Sequence, residues 1–143
     1  MSSPTSLVLQ QLLISKGKGT DPSSGLDWPV FIMTMPDPLR TKRKMLVVYD
    51  AAAKPDGRLS TGEVIEHPGF QIRVVSPDYL AGNNKATDVS DLLDGVDKEF
   101  LVIDSKAITL HSVSRGPTLF LGKDPETGLY LFTIGGTLTR TEV

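Results

Sequence analysis

Two histidines are the side chains in this chain best suited to acid–base or metal chemistry near neutral pH. His67 precedes a Pro-Gly turn, and His111 lies within an alternating stretch typical of a strand. Neither stands near carboxylates at the spacing of metal ligands. Ser112 and Ser114 neighbour His111, but the chain has no Gly-x-Ser-x-Gly elbow and no cysteine. These patterns predict structural histidines, no catalytic residues and no metal site.

The segment Gly-Lys-Gly-Thr-Asp at 17–21 has the residue types of a phosphate-binding loop. It lacks the Walker spacing, and a predicted helix precedes it where that motif requires a strand. We therefore expect no nucleotide site and no cofactor.

Four aspartates recur at intervals of three residues: Asp88, Asp91, Asp94 and Asp97. An EF-hand loop needs oxygen ligands at positions 1, 3 and 5, glycine at 6 and glutamate at 12, and that pattern is absent. One interpretation is a solvated acidic face at the end of a helix. The other is a docking surface for a basic segment of a neighbouring subunit or partner.

A basic segment with the required charge lies in the turn before the second predicted strand. Further charged residues occur in a predicted long loop at 51–66 and in the strand after it, where Arg73 is expected either to pair with a carboxylate or to reach a second subunit. Together with the four aspartates, the expected subunit or partner contacts are Arg40, Lys42, Arg43, Lys44, Lys54, Asp56, Arg58 and Arg73.

Length and charge narrow the class of protein. A chain of 143 residues forms one domain with a real core, and 39% hydrophobic and 22% charged residues are typical of an ordinary globular protein. The net charge of −2 gives no case for wrapping nucleic acid. The apolar run at 6–14 is shorter than the roughly 20 residues of a membrane-spanning helix.

The N-terminal residues predict a helix. Ser2 or Ser3 can cap it, Pro4 suits its first position and Gly17 supplies a stop. The polar segment that follows is predicted to be a linker, which would make the helix an arm rather than part of the core. The expected organisation is a helix at 1–16, a linker at 17–25 and a single α+β domain at 26–143.

The remaining chain alternates strands with turn signals. A second helix should begin with Ser76 as N-cap and end near Asp94 or Gly95, with one packing face at Gly82, Ala86, Val89, Leu93 and Val96. A β-hairpin should turn at 123–128, where Gly128 can adopt positive φ. Strands are expected at 28–35, 44–50, 70–75, 99–104, 107–114, 118–122 and 129–139. The predicted fold is α+β: a mixed, mostly antiparallel sheet with one helix packed on it after the third strand, plus the N-terminal helix.

Several short motifs in order resemble a known family. These are Pro36-Asp37, Val48-Tyr49-Asp50, Pro55-Asp56, Pro68 to Val74, Asp78-Tyr79, Leu93 with Gly95, and Arg115 to Thr133. They resemble phage minor capsid proteins and the tail terminator, or tail-completion, proteins of long-tailed bacteriophages. The family pattern often has Thr after the Tyr-Asp pair, whereas Ala51, Ala52 and Ala53 follow it here.

The resemblance implies a structural virion protein without catalysis. It implies a ring, typically a hexamer, at the head-proximal end of the tail tube, which ends tail polymerisation and joins tail to head. The expected partners are the tail tube protein and neck or connector proteins at the tail–neck junction, with genomic DNA passing through the ring and assembly in the host cytoplasm. The alternatives are a neck or head–tail connector protein and, in a different class, a small ligand-binding or hydrolytic domain.

Overall fold

A six-stranded sheet and two α-helices make up the protein in a computed structural model that describes residues 4–24, 27–33, 44–58, 64–103 and 105–142. The elements are α1 (Thr5–Ser15), a 3-10 turn (Pro22–Ser24), β1 (Val30–Ile32), β2 (Met45–Arg58), β3 (Val64–Ser76), α2 (Tyr79–Asp94), β4 (Glu99–Ile103), β5 (Lys106–Lys123) and β6 (Tyr130–Glu142). The spatial order of the strands is β1-β2-β3-β6-β5-β4. Among the strands of the described residues, β1 and β2 are the one pair that runs parallel, so the predicted mixed, mostly antiparallel sheet is confirmed.

The main core lies between the helices and one face of the sheet. Alternation in β3 places Phe70, Ile72 and Val74 on that face, and all three are buried. Leu9, Leu12 and Leu13 of α1 and Ala86, Val89 and Leu93 of α2 belong to the same cluster.

The N-terminal helix is part of this core, so its interpretation as an arm is wrong. Leu9, Leu12 and Leu13 are completely buried, and α1 contacts both edge strands of the curled sheet, β1 and β4. The helix has Pro4 as its N-cap, and the Ser6 backbone N–H and hydroxyl both donate to the carboxylate of Asp50 in β2. The proposed caps Ser2 and Ser3 lie outside the described residues. A polar segment suggests a linker, but only packing decides whether the helix before it is buried.

Helix α2 begins two residues later than expected. Asp78, not Ser76, is the N-cap, and its carboxylate accepts the Ala81 N–H at 3.2 Å. The Ser76 hydroxyl accepts the Asp78 N–H and donates to the Asp78 carbonyl. The side chains on the expected packing face are buried, as the 4-3-4-3 spacing predicts: Gly82, Ala86, Val89, Leu93 and Val96.

The expected loop at 51–66 is instead largely a strand pair. β2 continues to Arg58 and β3 starts at Val64, while residues 59–63 lie outside the described part. The ladder shifts register between Ala51 and Lys54 and again after Pro55. β1 pairs with β2 only at 46–48. Among the described residues, no strand therefore pairs with Pro55 on the side of β2 away from β3, and no hydrogen bond there requires the N–H that proline lacks. Proline and glycine here mark irregular pairing rather than a loop.

The β5–β6 hairpin confirms the predicted turn. Gly128 has φ +74°, and its N–H donates to the Asp124 carbonyl at 2.8 Å. The two strands expected at 107–114 and 118–122 form one continuous β5, because a register shift between Arg115 and Thr118 absorbs the Gly-Pro pair.

Candidate assembly surfaces

The four regularly spaced aspartates all lie exposed at or just beyond the C-terminal half of α2; we call Asp88, Asp91, Asp94 and Asp97 the acidic stripe. They lie on the side away from the packing face, since all four are exposed while Val89 and Leu93 of the same helix are buried. The stripe is therefore accessible to another molecule.

One member of the stripe is already paired within the chain. The Arg115 guanidinium, on β5, donates through Nε to Asp94 Oδ1 at 2.8 Å and through Nη2 to Oδ2 at 2.9 Å. This two-point contact lowers the pKa of Asp94 and raises the pKa of Arg115. Arg115 did not stand out as a site residue, because no local pattern connects two residues 21 positions apart.

The basic segment is only partly described. Lys44 is partly buried and immediately precedes β2, whereas Arg40, Lys42 and Arg43 lie outside the described residues. Lys54, Asp56 and Arg58 have described backbone in the irregular part of β2, and their side chains lie outside the described part.

Lys44 and Asp94, one member of the acidic stripe, are far apart along the strands. Met45, next to Lys44, pairs with Val75. Five residues further along β2, Asp50 pairs with Phe70, and the same row of paired residues continues across the sheet through Gly136 to Arg115. Arg115 is the partner of Asp94. At about 3.3 Å per residue, the six positions from Lys44 to Asp50 span about 20 Å. Lys44 therefore has no direct contact with Asp94 of its own chain.

Arg73 lies on the sheet face opposite the helices. Its guanidinium carbon is 5.5 Å from the centroid of the Tyr49 ring, a cation–π contact. Within the described part of the chain, its Nε is buried without a hydrogen-bond partner. The Tyr49 ring is thus the contact that the described residues show for this guanidinium.

Two exposed apolar surfaces lie at opposite ends of β5. The first, the hairpin patch, consists of Tyr79, Leu80, Leu119, Phe120 and Leu121. The second, the edge patch, consists of Phe100 and Val102 on the edge strand β4. Sequence reasoning identified the strands but not these surfaces, because alternation does not show whether a face is covered by another element.

The described residues offer no metal centre or membrane helix. No group of three or more His, Asp or Glu side chains among them could hold a metal ion. Within the same residues, no helix is long and apolar enough to cross a membrane. His111 Nε2 lies 3.1 Å from the Thr141 hydroxyl, and the His67 side chain is outside the described part.

Comparison with known proteins identifies the family. A family model described as bacteriophage tail terminator protein matches residues 12–140. A search of curated proteins gave no match. A chain of the solved structure "Virion of native gene transfer agent (GTA) particle" is 17% identical, with 80% of this chain and 78% of that chain covered and a TM-score of 0.49. Because the family model spans most of the sequence, the resemblance seen in the sequence is confirmed: the protein belongs to the bacteriophage tail terminator family and is a structural, non-enzymatic virion component.

Proposed function

We propose that the protein is a tail terminator that forms a hexameric ring at the head-proximal end of the tail tube. There it ends tail polymerisation and joins the tail to the head. The observation that carries this proposal is the family match over residues 12–140, which includes both helices in part or whole and all six strands up to Arg140.

The distribution of charge supports a ring. A closed ring needs heterologous contacts, in which one patch meets a different patch on the next copy. The basic segment at 40–44 and the acidic stripe are such a pair, since about 20 Å of strand separates Lys44 from the row of Arg115, which binds Asp94, within one chain. Opposite charges on neighbouring subunits steer ordered assembly more than they add affinity.

The remaining charged residues are assigned to the same assembly. Lys54, Asp56 and Arg58 lie on the extended β2–β3 pair, and Arg73 lies on the sheet face that carries no helix. These positions face subunit or partner contacts in the proposed ring. The proposed partners are the tail tube protein on one side and neck or connector proteins on the other, with genomic DNA passing through the lumen, assembly in the host cytoplasm and no cofactor.

Electron microscopy of particles assembled without this protein tests the proposal. Tails of uncontrolled length without attached heads are expected, because nothing would stop tube polymerisation. Tails of normal length that fail to attach would instead assign the protein to the head–tail connector. A complementing wild-type copy is the control, and it should restore both length and attachment.

A further inference from the structure

We propose that the hairpin patch of one copy docks on the edge patch of the next copy and forms the apolar centre of their head-to-tail contact. This inference rests on the ring of the proposed function. The occupant of each patch is thus a second copy of this chain.

The hairpin patch is an unusually apolar surface. Leu80 is 65% exposed and Phe120 is 50% exposed, although both are large hydrophobic side chains. Leu119, Phe120 and Leu121 are exposed in succession, so the apolar surface continues around both faces of the β5–β6 hairpin. Runs of exposed apolar residues like this one are rare in soluble proteins unless a partner covers them.

The aromatic rings give this patch a rigid base. The Tyr79 ring lies edge-on to the Phe120 ring at 5.4 Å and to the Tyr130 ring at 5.7 Å. Phe120 also lies 5.1 Å from Phe132, which is buried in the core. Because these rings hold one another, docking requires little further ordering of side chains, a property of well-formed contact centres.

The edge patch is smaller and even more exposed. Phe100 and Val102 are 70% and 76% exposed, whereas Ile103, the last residue of β4, is buried in a cluster with Val8 of α1. They share one face of β4, and Ala107, the ladder partner of Val102, is also exposed. Unprotected edge strands are sites for pairing with another chain, so an exposed apolar edge strand indicates a contact surface.

The two patches meet only between different copies. Phe100 pairs with Thr109, and eleven residues separate Thr109 from Phe120 along β5, which is up to about 36 Å. They also differ in composition. A contact between them is heterologous, as a ring requires, and leaves each copy with one further patch free for the next subunit.

Each patch has one cationic and one anionic side chain beside it. Lys98 lies over the Phe100 ring at 5.9 Å with Asp97 next to it in the chain, and Lys123 lies over the Tyr130 ring at 5.4 Å near Glu126 in the hairpin turn. All four charged side chains are exposed. Docking can pair Lys98 with Glu126 and Lys123 with Asp97, which favours a second copy over an uncharged surface.

Cross-linking through introduced cysteines tests this contact, because the natural chain has none. F120C and F100C are made as separate full-length variants, one with an affinity tag, then mixed and treated with a short bis-maleimide. Product that contains both variants is expected at least about tenfold above either variant alone, since docking raises the effective concentration of the two thiols. L121C with V102C is a second pair, and S23C, exposed near the opposite edge strand, is the control partner.

The same cross-linking reaction is carried out in assembled particles, because the ring could form only on the tail tube. Particles whose only copy is the F100C/F120C double variant should give a ladder of multiples of this chain. Homodimers from either single variant would overturn the head-to-tail contact, and adducts with another virion protein would assign the patch to that partner instead. The inference also fails if neither cysteine pair exceeds the S23C control in solution and in particles. Normal tail length in particles without a ladder would refute this contact while leaving the terminator function intact.

Discussion

Gly82 and Phe132 approach each other so closely that a Cβ on Gly82 would lie 2.7 Å from Phe132 Cε2. Phe132 is buried and held by the rings of Tyr79 and Phe120, so it has little room to move. Glycine at this position is what lets the first turns of α2 lie against β6.

The first prediction concerns this contact. G82A should lower the free energy of unfolding by about 1–3 kcal/mol through overpacking, although alanine gains up to about 1 kcal/mol in helix propensity. Urea denaturation measures the change. G95A is the matched control, because a Cβ on Gly95 would lie 3.5 Å from its nearest neighbour and φ there is negative. Equal stabilities for the two variants would contradict tight packing at Gly82.

The second prediction concerns the ion pair between Asp94 and Arg115. Hydrogen bonds from Arg115 lower the pKa of Asp94 below its ordinary value of 3.8. A carboxylate whose pKa is lower in the folded state than in the unfolded state stabilises the fold at pH values above the unfolded-state pKa. This contribution is lost as the pH falls through the folded-state pKa. A double-mutant cycle of D94N, R115Q and both together should therefore show favourable coupling at pH 7 that decreases below about pH 4.

Unfolding free energies measured between pH 2 and pH 7 check this cycle. The cycle cancels the titration of other carboxylates, provided that each substitution removes only this pair. Coupling that is the same at both ends of the pH range would contradict the assignment of the pKa shift to Arg115.

The third prediction concerns the attachment of α1. The Asp50 carboxylate accepts the Ser6 N–H at 2.7 Å, so a strand residue caps the helix from outside the helix itself. D50A should destabilise the protein by about 1 kcal/mol, the usual cost of a lost N-cap, and should speed amide exchange most at the start of α1. D27A, at an exposed loop position, is the control. Unchanged exchange in α1 would show that apolar packing alone holds the helix.

Local patterns predicted most elements because their causes are local. Gly128 permits the hairpin turn, and the small residues of α2 define its packing face. The placement of α1 was not predictable in this way, since Leu9 and its neighbours gain their burial from strands far along the chain. The β2–β3 extension was missed for a similar reason: pairing across the sheet overrides the turn signals around Pro55.

Only some of the assembly surfaces could be predicted from the sequence. The acidic stripe is visible in the spacing of its aspartates, but its partner Arg115 is a tertiary neighbour. The hairpin and edge patches depend on which apolar residues remain uncovered, which a strand pattern does not record. Charge is readable from a sequence because its spacing is local, whereas exposed apolar surface is a property of the completed fold.

The last prediction tests the proposed contact between the basic segment and the acidic stripe. R43E/K44E should weaken ring formation in sedimentation velocity, because each reversal replaces an intersubunit attraction by repulsion. Exposed ion pairs contribute only up to about 1 kcal/mol each, so the loss should be moderate and should diminish at high salt. Adding D88K/D91K to the same chain should restore assembly, since the exchanged signs again attract across the contact. Asp94 is left unchanged because it is already bound by Arg115. Unchanged oligomers after R43E/K44E, or no recovery in the fourfold variant, would show that these two surfaces do not meet.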